Sequence, residues 1–203
     1  MKNTTLSFLC GFGIFAFSGV AKDRVSNATM SNLQAAFNGE SNARARYLAF
    51  AEKADSEGYQ GAASLFRAAA RAEEIHAANH ANVIEKFGGL PKAKIDSAVV
   101  GSTRENLGAA VKGETYERDE MYPAFIRQAK TEGGAEAAQT FIFALAAEAE
   151  HAKLYAETLA NLDELTASRV FYVCPTCGFT TAIPDFERCP TCATPKERFE
   201  QIS

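Results

Sequence analysis

Two glutamate–histidine pairs at matching places in a duplicated sequence constrain this chain more than any other feature. Residues 32–40 read NLQAAFNGE and residues 106–114 read NLGAAVKGE, an offset of 74. Tyr47-Leu-Ala-Phe50 echoes Tyr122-Pro-Ala-Phe125, and Glu57-Gly58 echoes Glu132-Gly133. Glu73 and His76 are then repeated as Glu148 and His151, and for these later matches the offset is 75. One extra residue therefore lies in the second half, between Glu114 and Tyr122.

Each half reads as two long helices. Alanine, glutamate, leucine and arginine fill them. Ser31 with Gln34, and Ser102 with Glu105, have capping-box spacing. Gly88-Gly89-Leu90-Pro91 stops the second helix. The expected helices are 31–57, 60–87, 103–132 and 135–166, with residues 88–102 crossing between the halves. The expected fold class is mainly α: a ferritin-like four-helix bundle with one long crossover. A small metal-binding module of short strands and turns follows it.

Glu-x-x-His places both side chains on one helix face. One such pair is ordinarily solvated surface. Two pairs in a duplicated bundle, using two of only three histidines, with Glu40 and Glu114 on the other two helices, make the carboxylate-bridged di-metal pattern. This donor set suits iron or manganese better than a soft-ligand metal. Glu117 lies three residues after Glu114, where the first half has Ala43. The extra residue falls in the same window, so a π-bulge that turns Glu114 and Glu117 inward is expected. His80 has no histidine counterpart in the second half. It is expected either at the surface or behind a ligand.

Cys174-Pro-Thr-Cys177 and Cys189-Pro-Thr-Cys192 form two knuckles separated by eleven residues. Four thiolates so spaced make a tetrahedral metal site, for zinc or iron, against the alternative of two disulfides. A segment this short needs such a staple. Phe171, Tyr172, Phe179, Phe186 and Phe199 are expected around it. The domain reading is 30–167 for the bundle and 170–203 for the module, joined near Ala167-Ser168-Arg169 with almost no linker.

The chain has 203 residues and a formal charge of -4. That balance argues against a partner bound by phosphate neutralisation, so no nucleic acid is expected. Residues 1–21 carry one charge, Lys2, and an apolar run over 6–20 that ends in small residues. They read as a signal peptide cleaved after Ala21, which points to a periplasmic or exported protein. The alternative is a retained anchor, or a cytoplasmic chain whose true start is Met30. Cys10, within this front segment, makes a poor lipoprotein site.

With the ordered set GE at 40, EEIH at 73–76, GETYE at 113–117, EAEH at 148–151, CPTCG at 174–178 and CPTC at 189–192, the chain resembles the rubrerythrin family over residues 30–203. The resemblance implies a non-haem di-iron peroxidase that reduces hydrogen peroxide to water in oxidative-stress defence. It implies that Glu40, Glu73, His76, Glu114, Glu117, Glu148 and His151 hold two irons, with Tyr47 and Tyr122 bonded to ligand carboxylates. It also implies exchange of His76 for Glu117 with redox state. Cys174, Cys177, Cys189 and Cys192 would hold a rubredoxin-like iron, with zinc as the alternative. The implied partners are peroxide and an electron donor, either rubredoxin or an NAD(P)H-dependent reductase. A homodimer is implied, with the module of one chain near the bundle of the other. The competing functions are iron oxidation or handling without a relay, and a structural role with zinc in the knuckles. The signal-like front departs from the family pattern. Export of an unfolded chain would expose four thiols to oxidation before metal arrived.

Overall fold

The computed structural model describes Met1 and residues 26–203. The signal-like segment 1–21 and Cys10 lie outside the described residues. Four long helical rods make the bundle: α1 (Asn27–Ser56), α2 (Gln60–Lys86), a third rod, and α5 (Ala135–Ala160). The third rod is composite. It runs as α3 (Thr103–Tyr116), a π-helical turn (Glu117–Met121) and α4 (Tyr122–Thr131). The module is a three-stranded antiparallel sheet of β1 (Phe171–Val173), β2 (Thr180–Thr181) and β3 (Glu200–Ile202), in the order β2-β1-β3. Among the described residues, no helix is long and apolar enough to cross a membrane.

The duplication in the sequence is a duplication in space. Glu57, at the end of α1, accepts bonds from Thr103 N and Thr103 Oγ1 at 2.8 and 2.6 Å, at the start of α3. Its repeat-mate Glu132, at the end of α4, accepts from the hydroxyl of Thr29 at the start of α1. Each half thus ties down the other half's first helix, and Glu57 also satisfies a backbone donor that the start of α3 leaves over. The cores repeat as well. Tyr47, Phe50, Phe66 and Tyr155 form one aromatic cluster with centroids 5.3–6.2 Å apart. Tyr122, Phe125, Phe141 and His80 form the other.

α2 has little polar face over its middle. Ala62, Ala63, Ala68, Ala69, Ala70 and Ala72 are all buried, because α2 packs on α1 and α5 and also carries β1. Small side chains let three neighbours approach one helix. The crossover 88–102 is held extended along α1 by amide side chains one turn apart. Gln34 pairs with Leu90 O and Lys92 N, Asn38 with Lys94 N, and Asn42 with Lys94 O and Asp96 N, at 2.7–3.2 Å.

Three local expectations need correction. α1 opens at Asn27, not 31, because Ser26 takes the N-cap and accepts from Ala28 N and Thr29 N; Ser31 lies inside the helix, so no capping box forms with Gln34. The last helix ends at Ala160 rather than 166, and a 3-10 turn, Leu162–Glu164, follows. Phe171 faces the bundle core, not the cysteines, while Phe143 of α5 joins the cysteine cluster from below. The Ser102–Glu105 capping box is present. Ser102→Ala is therefore expected to cost about 1 kcal/mol, read as a lower urea midpoint at an unchanged slope; an unshifted midpoint would remove the cap from the stability of α3.

Candidate metal centre

The four rods bring Glu40, Glu73, Glu114, Glu148, His76 and His151 into one fully buried volume. They form two groups that share Glu73 and Glu148: Glu40, Glu73, His76 and Glu148, and Glu73, Glu114, Glu148 and His151. Ligand atoms within each group lie within 4.8 Å of one another. His76 Nδ1 is 2.9 Å from Glu73 Oε2 and 3.0 Å from Glu148 Oε1. His151 Nδ1 is 2.8 Å from Glu148 Oε2 and 3.5 Å from Glu73 Oε1. Tyr47 donates to Glu114 Oε1 and Tyr122 to Glu40 Oε1, so each half's tyrosine holds the other half's glutamate.

The electrostatics are those of a cation site. Burial, then Glu73 and Glu148, push the Glu40 carboxyl well above its ordinary range. Burial, then Glu148 and Glu73, raise Glu114 to about 8. Burial also works against ionisation of Glu148, but His76 and His151 outweigh it and hold Glu148 low. Burial lowers both imidazoles, and the carboxylates overcome it and raise them. One oxygen of each of these four carboxylates has no hydrogen-bond partner among the described residues: Glu40 Oε2, Glu73 Oε1, Glu114 Oε2 and Glu148 Oε1. Buried carboxylate oxygens are very costly to leave unpaired. Four such atoms converging with two imidazole nitrogens fit a pair of cations.

The expected π-bulge is present where the repeat gains its extra residue. Tyr122 N donates to Glu117 O, five residues back. Glu114 is buried within the cluster, but Glu117 is half-buried and belongs to neither four-residue group. It lines a groove of about 580 Å³ with Asn38, Asn42, Arg46 and Asp96, between α1, the crossover and α3. Burial, followed by Glu40 and Glu114, pushes its carboxyl well up, so it feels the cluster's charge. His80 is not at the surface. It is fully buried behind Tyr122, with Nε2 3.1 Å from the Tyr122 hydroxyl. Burial and the neighbouring His76 hold it down to about 3, hence neutral. The repeat places Tyr155 at its equivalent position, and that comparison was the signal which could have exposed both residues.

The four cysteine sulfurs form a second group. Cys174 Sγ and Cys192 Sγ are 3.4 Å apart, and Cys177 Sγ and Cys189 Sγ 3.6 Å. These separations exclude disulfides and approach the edge of about 3.8 Å in a tetrahedron of thiolates around one metal ion. The knuckles are built alike. Gly178 N donates to Cys174 O and Ala193 N to Cys189 O, both at 2.9 Å, with φ +76 and +60 at the turning residues.

The module sits on its own chain's bundle, against the two histidines. His76 Nε2 is 3.1 Å from Cys177 O, and His151 Nε2 is 3.1 Å from Thr180 Oγ1. A carbonyl only accepts, so His76 Nε2–H donates. Thr180 gives its own proton to Gly178 O at 2.9 Å, so it accepts from His151. In neutral rings both Nδ1 lone pairs are then aimed into the cluster. Arg71 forks onto Glu200 at 2.6 and 2.9 Å, and Asn79 donates to Thr176 O at 2.9 Å. The joint is pinned as well: Gly61 N donates to Leu165 O and Arg169 N to Ser64 Oγ, at 3.1 and 3.2 Å. The contact that the family resemblance places between two chains is made here within one.

A ferritin-like bundle with a paired carboxylate–histidine cluster and a four-cysteine module defines an iron-protein class of oxidoreductases. A sequence model of the rubrerythrin family matches residues 31–159, and the chain belongs to that family. It is 40% identical to nigerythrin of Nitratidesulfovibrio vulgaris over 185 residues, covering 90% of this chain and 91% of that one. It is 40% identical to Rubrerythrin-2 of Clostridium acetobutylicum, covering 87% and 98%. Among solved structures, fully reduced, all-ferrous nigerythrin aligns with TM-score 0.80 at 39% identity over 90% of this chain and 91% of that one. Mycobacterium tuberculosis bacterioferritin aligns with TM-score 0.64 at 23% identity over 70% of this chain and 93% of that one, a likeness of fold.

A methyl group at Gly178 would overlap the His76 ring and would need a backbone conformation that side chains disfavour. Gly178→Ala is therefore expected to loosen the module while the cysteines still bind metal. Limited proteolysis within 161–170 should accelerate; cleavage at the wild-type rate would count against the docking.

Proposed function

We propose that this chain reduces hydrogen peroxide to water, with electrons relayed through the four-cysteine module. The observation that supports this reading best is the direct contact between the cysteine loop and both cluster histidines. Iron oxidation without a relay does not call for that contact. Glu40, Glu73, His76, Glu114, Glu148 and His151 would hold two irons, with Glu117 as a further ligand, and the four cysteines one. Bound there, a ferrous pair supplies the two electrons that peroxide reduction needs, and a tetrathiolate iron passes electrons singly.

The protein's part is placement. Tyr47 and Tyr122 fix the outer carboxylates by hydrogen bonds. The module fixes both imidazoles from behind. The groove lined by Asn42, Arg46 and Glu117, between α1, the crossover and α3, suits the entry of a small polar oxidant. Electrons then arrive from one face and substrate from another. By the family resemblance, the external donor would be a rubredoxin or an NAD(P)H-dependent reductase, and the assembly a homodimer.

The expected metal content is three irons per chain, with thiolate-to-iron absorption bands that bleach on reduction. The fully reduced protein should be reoxidised faster by peroxide than by oxygen. A colourless protein with zinc in the module would overturn the relay, and faster reaction with oxygen would favour iron oxidation. Glu117→Ala is expected to keep its iron and slow peroxide turnover; wild-type turnover would remove Glu117 from the reaction. We also propose that the signal-like segment 1–21 is removed on export. The mature N-terminus is then expected at Lys22, and sequencing that finds Met1 or Met30 there would overturn it.

A further inference from the structure

We propose that His80 passes protons from solvent to the cluster along a hydrogen-bonded route from Thr140 through His80 and Tyr122 to Glu40. The proposal rests on the peroxide reading, since H2O2 + 2 e⁻ + 2 H⁺ gives two waters and the cluster that does this is fully buried.

Every link is in place. Tyr122 donates its hydroxyl proton to Glu40 Oε1. Its oxygen is therefore free to accept from His80 Nε2–H at 3.1 Å. A neutral ring that donates from Nε2 accepts at Nδ1, and Thr140 Oγ1 stands 3.0 Å from that atom. Thr140 lines an open groove of about 250 Å³ between α2 and α5, with Asn79, Lys86, Glu136 and Gln139. All the donors along the route thus point inward. A proton that reaches Thr140 Oγ1 from groove water releases the hydroxyl proton to His80 Nδ1. His80 gives its Nε2 proton to Tyr122, and Tyr122 gives its own to Glu40 Oε1, one bond to hydrogen forming and one breaking at each step. The two protons that arrive leave in the two waters. A second proton follows after the hydroxyls turn and the imidazole rotates by half a turn, which brings its protonated nitrogen back to Tyr122 and its bare nitrogen back to Thr140. The route works by exchange along hydrogen bonds, and Thr140, His80 and Tyr122 each keep their resting charge.

Packing alone does not explain the pair. The repeat offset of 75 puts Tyr155 opposite His80 and Leu65 opposite Thr140. Both replacements are fully buried in an equivalent aromatic cluster. There the Tyr155 hydroxyl has no hydrogen-bond partner among the described residues, so the second half has the packing without the wire. Among the described residues, only the Glu40 side of the cluster is connected to a groove in this way.

The test uses the full chain with zinc in its metal sites and follows exchange of the His80 ring proton with water by nitrogen-15 NMR. Thr140→Val, which keeps the side-chain shape, is expected to slow that exchange by at least about tenfold, and Tyr155→Phe to leave it alone. In the iron-loaded protein, Thr140→Val should slow single-turnover oxidation by peroxide and enlarge its solvent deuterium isotope effect at unchanged iron content. Wild-type exchange and isotope effect in Thr140→Val would overturn the route. Slowed exchange in a protein inert to peroxide would sustain the route and sink the peroxide reading instead.

Discussion

Four glutamates share one buried volume, and the rest of the molecule is arranged around that fact. Glu40, Glu73, Glu114 and Glu148 are wholly buried, and one oxygen of each lacks a hydrogen-bond partner among the described residues. Ionised together without a cation they would repel one another in a medium that screens poorly. The directions of their shifts express this: Glu40 and Glu114 go up, while Glu148, between two imidazoles, goes down. A cluster of this kind is a poor way to stabilise a bundle and a good way to hold metal. The stability must come from elsewhere, and it does. The alanine-lined α2 and the two aromatic clusters pack apolar surface around the carboxylates, and the contacts at Glu57 and Glu132 tie down the helix ends.

The histidines join the two halves of the protein's chemistry. Each ring has one nitrogen among the carboxylates and the other on the cysteine module. The module is therefore a wall of the bundle site, and its backbone sets the orientation of the ligand rings. This explains the tight tolerance at Gly178, where the knuckle turn and the imidazole edge occupy adjoining space.

What the sequence made legible was what repetition and spacing encode. Glu40, Glu73, His76, Glu114, Glu148 and His151 stand together as the duplicated pattern implied, and the four cysteines converge as their spacing implied. The one-residue change of offset even located the π-helical turn. The losses have physical causes. Ser26 outcompeted Ser31 for the cap because an N-cap is decided by backbone geometry, and either serine could supply the oxygen. For His80 the sequence left the surface and a place behind a ligand both open, because α2 is buried almost all round and no periodicity in one stretch of sequence reveals a helix with three neighbours; the structure takes the second. The short joint at 167–169 kept the module near a bundle without saying whose. The particular contacts, His76 to Cys177 O and His151 to Thr180, required the fold.

The departures from two-fold symmetry are where the structure becomes specific. A perfectly duplicated bundle would offer two equivalent half-sites, reached equally from either side. Here the π turn places Glu117 at a groove on the α1 and crossover side, where the first half has Ala43. The exchange of Tyr155 for His80 opens a hydrogen-bonded line on the Glu40 side alone. The module occupies the face of α2 and α5 that carries both histidines. Symmetry explains how a set of buried carboxylates can be assembled from one helical unit used twice. Its three interruptions give the set distinct neighbours, and on the peroxide reading they separate the paths of substrate, protons and electrons. Because each path leaves the cluster through a different residue, a change to one can be made without closing the other two.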